Sequence, residues 1–530
     1  MSLKKRLSAI TVLVLLLGIV FAIAISGKEL QNQNNQNGEA PLVVNGKETL
    51  YIWYTDDALT PYISGAAVTY SENHDVRIVP VLESGLEYLE NINKMSVEIN
   101  SPDLYVVSHD SLEKAYLAGL AAPVNPGEGT DMETLYMGTG LQAVSYKDKL
   151  IGYPFYFETS CLLYNKTYLE DMAKKRIEAE EDVAQALAAE EALEENGPEG
   201  QAAQEADTAG NGTEETASES GGGQDEGMPD LPVDNGAAEA EEELTEAQKL
   251  AIETRMKQML PATIENIKTL ADEYDAPEQV ESIFRWDVTD IFYNYFFVGD
   301  TINMGGEAGW DVEQIDIYNE DAIASLRAYE ELHQFFSIDT SEIDYDKVLE
   351  EFMTGKIIFT VVTTDAVAKL EAAKEDGSFV YDYGVLQTPH INDEIKSRSL
   401  SVTGCVAVNG YGQNQEIAND FARFLTSEYN DILYDRTGKV SAAKGVDYGS
   451  EALSVFAGEY ENSISMPKMI ETSNFWVQLE VAFSQIWDGA DANKKLKELS
   501  EQIMQQITGR EFTEEYIREV QKKEEPEEEN

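Results

Sequence analysis

Four polar side chains that could bind a ligand follow directly on predicted strands in the first part of the chain: Asp56, Asp57, His109 and Asp110. The first two come after the apolar run Leu50–Thr55 (LYIWYT), and the other two come after Leu104–Ser108 (LYVVS). Carboxylates accept hydrogen bonds strongly, so they suit a polar ligand. For each residue taken alone, capping of the next helix is the commoner role. Taken together, the four residues indicate a site.

The elements that would position these side chains alternate between strand and helix. The strand-like runs Leu50–Thr55, Val76–Leu82 and Leu104–Ser108 are each followed by a segment with a helical pattern. This alternation predicts an α/β fold with a mostly parallel sheet. Such sheets bind their ligands at the carboxyl ends of the strands, where the four polar residues lie.

The composition excludes several classes of protein. The 530 residues carry 99 acidic and 38 basic side chains, which gives a formal net charge of −61. A charge of this size repels phosphate backbones, so we expect no binding of nucleic acid. No P-loop or nucleophile-elbow motif is present, and no cofactor is expected. The histidines lack metal-ligand spacing, so no metal site is expected; they are His74, His109, His333 and His390.

The N-terminal segment has the pattern of an export signal. Three basic residues at 4–6 precede the uncharged, mainly apolar run Leu7–Ser26. About 20 apolar residues can also span a bilayer. Residues 1–26 are therefore either a signal peptide or an N-terminal membrane anchor, and residues 27–46, rich in Asn and Gln, predict a flexible tether. The protein is expected outside the cytoplasm, at the cell surface or in the periplasm, with membrane contact only through this segment.

A long acidic segment interrupts the globular pattern. Residues 170–259 are dominated by Glu and Ala, with Gly-rich stretches and almost no aromatic residues. The ends of this segment, Asp171–Glu195 and Ala237–Leu260, have a helix-forming composition. Its centre, 196–236, is low in hydrophobicity and predicts disorder. Residues 511–530 form an acidic tail.

Three stretches of the chain carry the motifs of a known family, and the combination of Y-P, a carboxylate and L-Y-N-K in the second is the most specific. They are Pro102–Asp110 with Tyr116–Leu120, Lys149–Pro154 with Glu158 and Leu163–Lys166, and Met466–Pro467 with Ser473–Trp476. With these motifs, residues 48–508 resemble the family 1 extracellular solute-binding proteins, apart from the acidic segment. This group contains maltose-binding protein.

The resemblance implies a two-lobed periplasmic-binding-protein-like fold of type II, with hinge strands that join the lobes and with the acidic segment as a largely disordered insertion in a surface loop. It places residues 47–157 and 406–450 in lobe 1, and residues 162–404 and 451–510 in lobe 2. The implied function is capture of a sugar or oligosaccharide between the lobes and its delivery to the permease subunits of an ABC importer. The resemblance also implies a monomer without enzymatic activity.

The resemblance also assigns roles to individual residues. Asp110 and Glu158 fall at sugar-binding carboxylates, and Trp476 falls at a tryptophan that stacks on a sugar ring. Further ligand contacts are implied for two other regions, at Asp56 or Asp57 and at Trp286 with Asp287.

Three departures from the family pattern alter the implied pocket. Where the maltose-binding member has two tryptophans and a basic residue, this chain has Val107, Asp365 and Ala58. The pocket is therefore expected to be less aromatic and more acidic, so specificity for maltose does not carry over.

By the same resemblance, the chain's two cysteines, Cys161 and Cys405, lie on the two crossing strands at the hinge. One reading is a disulfide that stiffens the hinge, and the other is a pair of buried thiols.

Two other functions remain open from the sequence. A glycosidase uses paired carboxylates as acid and base, but nothing in the chain singles out such a pair. A ligand-sensing surface protein could use the same two-lobed fold without a transporter, and an uncleaved anchor favours it.

Overall fold

The computed structural model describes residues 47–96, 98, 101–195, 244–336, 338–472 and 474–518. The N-terminal signal or anchor, the tether and the predicted disordered centre of the insertion lie outside these residues. None of the helices within the described ranges has the length and apolar character needed to cross a membrane.

The strands, numbered along the chain, are β1 Glu48–Tyr54, β2 Val76–Leu82, β3 Leu104–Ser108, β4 Ser145–Tyr146, β5 Lys149–Leu150, β6 Tyr153–Thr159, β7 Cys161–Asn165, β8 Ser282–Phe284, β9 Asn303–Met304, β10 Ile315–Asp316, β11 Ile357–Val362, β12 Tyr383–Leu386, β13 Leu400–Val408, β14 Val440–Ser441 and β15 Ile464–Ser465.

The α-helices are α1 Thr60–Asn73, α2 Tyr88–Met95, α3 Leu112–Leu117, α4 Met132–Leu135, α5 Gly138–Ala143, α6 Lys166–Glu195, α7 Glu246–Met259, α8 Ile264–Glu273, α9 Ile291–Asn294, α10 Glu320–Phe336, α11 Tyr345–Met353, α12 Asp365–Asp376, α13 Gln415–Arg423, α14 Leu433–Thr437, α15 Glu451–Asn462, α16 Phe475–Trp487 and α17 Ala492–Thr508.

The first lobe is built on a sheet with the strand order β14-β6-β13-β3-β1-β2, and β15 pairs with the start of β13. The predicted strands β1, β2 and β3 pair in parallel, as expected from the alternating sequence pattern. Strand β13 runs antiparallel between β3 and β6. It lies in this sheet from Leu400 onward, whereas the sequence-based division between the lobes fell inside the strand, at residue 404. Cores on the two faces of the sheet bury residues such as Ile52 and Trp53.

The second lobe is built on a smaller sheet with the order β12-β7-β11-β8. Its central strand β11 (IIFTVV) is buried at every position, because it lies between helices on both faces. The largest core of the protein packs α8, α10, α16 and α17 against this sheet, around residues such as Phe297 and Tyr329. The two lobes and the hinge strands confirm the predicted fold class.

The crossings between the lobes are short. Ser160 alone separates β6 of the first sheet from β7 of the second, and β13 returns the chain from the second lobe to the first. Helix α15 contacts β6 and α5 on one side and β7 and β12 on the other. The sequence-based division assigned this helix to lobe 2, but a shared apolar core that includes Phe157, Leu163 and Phe456 joins the lobes here.

Helices α6 and α7 form the described ends of the predicted insertion, and they pack against each other. A capping box between Thr245 and Gln248 begins α7. Met256 is buried in the core of the second lobe, so the end of the insertion belongs to the packed protein. Part of the predicted tail is also packed, because Asn493 Nδ2 donates to the Ile517 carbonyl oxygen over 2.9 Å.

Candidate functional site

The outer face of β6 forms the floor of the candidate site. Phe155 and Phe157 point into apolar cores, whereas Tyr156 and Glu158, which alternate with them, point to the opposite face and are half-buried. Successive side chains of a strand point to opposite faces, so the hydrophobic alternation of β6 places Tyr156 and Glu158 together. This strand leads directly into the second lobe.

Glu158 bonds to the second lobe. Its Oε1 atom accepts a hydrogen bond of 2.8 Å from the backbone N–H of Thr364 and another from the Thr364 hydroxyl. Thr364 lies at the carboxyl end of β11 and is the N-cap of α12. Burial raises the pKa of Glu158 to about 7, although the hydrogen bonds from Thr364 act to lower it.

Asp365, the first residue of α12, continues the polar network in the second lobe. It accepts hydrogen bonds from Tyr345 Oη over 2.8 Å and from Thr363 Oγ1 over 2.6 Å, and it forms an ion pair of 2.9 Å with Lys369. Burial opposes ionisation, but these hydrogen bonds hold the pKa of Asp365 below its ordinary value. The carboxylate is therefore charged and fully engaged.

An aromatic wall leads from Asp365 toward α16. The rings of Tyr293 and Tyr345 stack with their centroids 5.0 Å apart and an interplanar angle of 6°. Trp476 is half-buried near the start of α16, and its ring centroid lies 5.4 Å from that of Tyr295. One turn further along α16, partial desolvation and the nearby Asp290 raise the pKa of Glu480.

On the first lobe, Asp56 has two roles. Its Oδ1 accepts a hydrogen bond of 3.0 Å from the Ala58 N–H and so caps the short 3-10 helix Asp57–Leu59. Its Oδ2 forms an ion pair of 3.0 Å with Lys439, which directly precedes β14. Asp57 is exposed beside it. The capping role and the ligand-binding role considered for Asp56 are thus compatible.

The ring of Tyr156 lies against the backbone of the neighbouring strand β13. A Cβ atom at Gly404 would lie 2.3 Å from Tyr156 Cζ, so only glycine leaves room for the ring. Lys439 Nζ lies over this ring, 5.3 Å from its centroid.

Asp110 lies beyond the end of β3, and its Oδ1 is buried without a hydrogen-bond partner among the described residues. Register places it near Glu158. Val402 of β13 pairs with Glu158 on one side, and the next residue, Thr403, donates its N–H to His109 Nδ1 on the other. Two strand spacings, roughly 10 Å, therefore separate the backbone at the end of β3, just before Asp110, from β6 at this level of the sheet. A buried carboxylate oxygen without a partner in the protein is open to a donor from a ligand or from water.

His109 and Lys468 fix the segment behind Asp110. His109 is fully buried; since Nδ1 accepts from Thr403, Nε2 donates to the Met466 carbonyl oxygen over 2.8 Å. Burial, together with the charge of Lys468, lowers the pKa of His109 to about 4. His109 is thus a neutral residue that joins β3 to the segment before α16, and it has no free nitrogen for a ligand.

The buried amino group of Lys468 bridges the lobes. Its Nζ donates to the carbonyl oxygens of Gln142 and Ser145 in the first lobe, over 3.2 and 3.0 Å. It also donates to the Ala308 carbonyl oxygen in the second lobe. Burial lowers the pKa of Lys468 to about 7.

Two predicted ligand contacts do not reach the site. Trp286 is 0% exposed, stacks on Phe284 with centroids 4.5 Å apart, and donates its Nε1–H to Asn294 Oδ1 over 2.9 Å. It is a core residue of the second lobe, because both its ring faces and its polar atom are occupied. Asp287 is buried and accepts hydrogen bonds from the backbone and the hydroxyl of Thr289, so it closes a turn.

The two cysteines are free and buried. Cys161 pairs with Val362 in the second sheet, whereas Cys405 lies opposite Val107 in the first. They pack into different apolar cores. The suggested disulfide is therefore wrong, and the alternative of two buried thiols is confirmed.

The residues that the sequence analysis missed come from late segments of the chain. Thr364, Tyr345 and Lys439 have no motif, and each reaches the site only because of strand pairing or helix packing far from the early motifs. A weak signal for Thr364 was available, since it follows a continuous apolar strand and precedes a helix.

The site combines charge-paired carboxylates, hydroxyl groups and aromatic rings at the junction of the lobes. Lys439 neutralises Asp56, Lys369 neutralises Asp365, and Glu158 has a raised pKa. Such a set suits a neutral ligand that both donates and accepts hydrogen bonds. Within the described ranges, no group of three or more His, Cys, Asp and Glu side chains could hold a metal ion.

Comparisons with known proteins agree with this architecture. The family described as "Bacterial extracellular solute-binding protein" matches residues 65–452. A search of curated protein sequences returns no significant match.

Solved structures with a similar fold include the extracellular solute-binding protein of Staphylococcus aureus in complex with maltose, at 16% identity and a TM-score of 0.62 over 88% of this chain and 99% of that one. The maltose-binding periplasmic protein of Listeria monocytogenes in complex with maltose has 18% identity and a TM-score of 0.61, over 88% of this chain and 100% of that one. MalX of Streptococcus pneumoniae in complex with maltopentaose has 15% identity and a TM-score of 0.55, over 86% and 99%. At these identities the likeness shows the fold.

Proposed function

Because residues 65–452 match its family, the chain belongs to the bacterial extracellular solute-binding proteins, and we propose that it captures a sugar or oligosaccharide between its lobes and delivers it to an ABC importer. The protein acts outside the cytoplasm as a monomer, reaches the membrane only through its N-terminal segment, and releases its ligand chemically unchanged to the permease subunits.

The observation that carries this proposal is the polar and aromatic band at the junction of the lobes. It runs from Asp56 and Lys439 over Tyr156 and Glu158 to Thr364 and Asp365, and then along Tyr345 and Tyr293 toward Trp476. Carboxylates accept hydrogen bonds from sugar hydroxyls, and aromatic faces cover the apolar side of a sugar ring. The similar proteins named above were crystallised with maltose or maltopentaose, which supports a saccharide as the ligand.

The ligand-binding residues that we propose are Asp56, Asp110, Glu158 and Trp476, with Asp57 at the exposed rim. The unpartnered Asp110 Oδ1 supports its assignment, because a ligand hydroxyl would satisfy it. Trp286 and Asp287 are left out because the core and a turn occupy them.

Calorimetric titration with maltose, maltotriose, glucose and galactose tests the function. We expect saturable heat with at least one of these sugars, together with a raised unfolding temperature. Chromatography after incubation should recover the sugar intact. Absence of heat and of stabilisation with all four sugars would contradict saccharide capture, and conversion of the sugar would favour an enzyme.

A further inference from the structure

The most unusual feature of the site is that a lysine covers the aromatic ring at its floor. One face of Tyr156 lies against the backbone at Gly404, where even a Cβ atom would clash with the ring. Lys439 Nζ lies over the ring, 5.3 Å from its centroid. Since the first face is packed on backbone, the ammonium group covers the other face, and a sugar cannot stack on Tyr156 while Lys439 is in place.

Lys439 is held in this position by charge. Its ion pair with Asp56 measures 3.0 Å, and the two side chains are only 27% and 33% exposed. The charge of Lys439 also acts to lower the pKa of Glu158. Helix α14, which precedes Lys439, packs against α1 and the short 3-10 helix that Asp56 caps. Two segments distant in sequence therefore place an ammonium group in contact with the Asp56 carboxylate and over the ring of Tyr156, within electrostatic reach of Glu158.

The hydrogen-bonding capacities of these three groups, Asp56, Lys439 and Glu158, suit a ligand with adjacent hydroxyl groups. Asp56 accepts hydrogen bonds and Lys439 donates them. The second oxygen of Glu158 accepts when the group is ionised and donates when it is protonated, since its pKa is raised to about 7. A sugar with neighbouring hydroxyl groups can donate one hydrogen bond to Asp56 and accept another from Lys439. The charge of Lys439 is already matched by Asp56, so an added anionic group would leave negative charge without a partner in a partly desolvated site.

We propose that Lys439 is a specificity-determining residue, which makes the site select neutral sugars bound by the edge that carries their adjacent hydroxyl groups and excludes stacking on Tyr156. This inference rests on the proposed function. It names the ligand chemistry that the floor of the same site accepts.

The first experiment compares Lys439→Met with the wild type by calorimetric titration. The probe is whichever of maltose, maltotriose, glucose and galactose binds the wild type most tightly. Methionine retains an apolar cover for Tyr156 but removes the donor, so we expect at least a tenfold loss of affinity. Lys444→Met is the matched control, because Lys444 is an exposed lysine that donates a hydrogen bond to the Glu133 carbonyl oxygen. The affinity of this variant for the probe sugar should differ from that of the wild type by less than twofold.

A second measurement separates recognition from a structural role. Monodeoxy analogues of the probe each lack one hydroxyl. One analogue will show the largest loss of affinity, relative to the parent sugar, in the wild type. In Lys439→Met, the loss for the same analogue should be at least threefold smaller, because the missing hydroxyl and the missing ammonium group belong to one interaction. Lys439→Arg keeps a charged donor and should restore this discrimination. A structural defect would instead weaken all analogues by the same factor.

The Asp56→Asn variant tests the charge argument and retains a capping side chain. It leaves Lys439 without its ion pair, so affinity for glucuronate relative to glucose should rise at least fivefold. The proposal is overturned if Lys439→Met binds the probe and its analogues like the wild type while Asp56→Asn keeps the original preference. If no sugar binds the wild type, the proposed function itself fails. If the wild type binds sugar but these variants behave like it, only the role proposed for Lys439 fails, so the two failures can be told apart.

Discussion

A single carboxylate oxygen of Glu158 accepts both the backbone N–H and the hydroxyl hydrogen of Thr364. These two bonds join the end of β6 in the first sheet to the N-terminus of α12 in the second lobe. The N-terminus of α12 carries the positive end of its helix dipole, which favours a carboxylate at this position. Glu158 therefore has a structural partner in the second lobe before any ligand is present.

The raised pKa of Glu158 makes stability depend on pH. Burial raises the pKa of this group from 4.5 to about 7, so the folded state favours the protonated form. The stability that the folded state gains from holding Glu158 protonated is complete below pH 4.5, and it is lost as the pH rises through about 7. We expect the unfolding temperature of the wild type to fall relative to Glu158→Gln between pH 4.5 and 7.5. Thermal unfolding at half-unit pH steps measures this difference, and the exposed Glu128→Gln serves as the control. Parallel curves for the wild type and Glu158→Gln would contradict the prediction.

The contribution of Lys468 to stability should change with pH in the opposite direction, and at higher pH values. Burial lowers its pKa from 10.5 to about 7, so the unfolded chain binds more protons than the folded one between these values. The cost of burying the charge is complete below pH 7 and is relieved as the pH rises toward 10.5. The stability of the wild type should therefore rise relative to Lys468→Met from pH 7 to pH 10. Denaturant unfolding at several pH values tests this, with Lys444→Met as the control that should show no relative change.

Two tryptophans give a matched comparison between core and site. Trp286→Ala removes a fully buried ring and should cost about 3–5 kcal/mol of unfolding free energy. Trp476→Ala removes a half-buried ring at the proposed site and should cost far less stability, but at least tenfold in sugar affinity. Urea unfolding and calorimetric titration of both variants check this. The assignment is wrong if Trp476→Ala binds normally, or if it destabilises the protein as much as Trp286→Ala does.

The insertion should not contribute to ligand binding. Helices α6 and α7 pack on each other, and Arg255 with Glu180 forms an ion pair near their base. Replacement of residues 185–246 by a short Gly-Ser linker keeps this pair and the buried Met256. Since loop closure depends only weakly on length, we expect sugar affinity within twofold of the wild type. A tenfold loss in a variant with unchanged thermal unfolding would show that the insertion contributes to the site.

The architecture could be predicted because it depends on patterns that extend over many residues. The strands Val76–Leu82 and Leu104–Ser108 were predicted with the bounds that the structure shows. The site was less predictable. The sequence pattern does not say that Trp286 finds Phe284 and Asn294 as partners, or that Lys439 reaches Asp56, because both depend on packing between distant segments. The cysteines show the same limit, since the resemblance suggested a pair at the hinge, whereas the structure places Cys161 and Cys405 in different sheets and different cores.

The single residue between β6 and β7 bears on where a rotation of one lobe relative to the other would be largest. Displacement in a rotation grows with distance from the axis, and Glu158 lies two residues, roughly 7 Å, from Ser160. A rotation of the lobes about this point would move Glu158 little. It would move the exposed Leu86 further, because Leu86 follows β2, which lies four strand spacings, roughly 19 Å, from β6 in the first sheet. A spectroscopic label beyond β2 would therefore register such a rotation more strongly than a label beside Glu158.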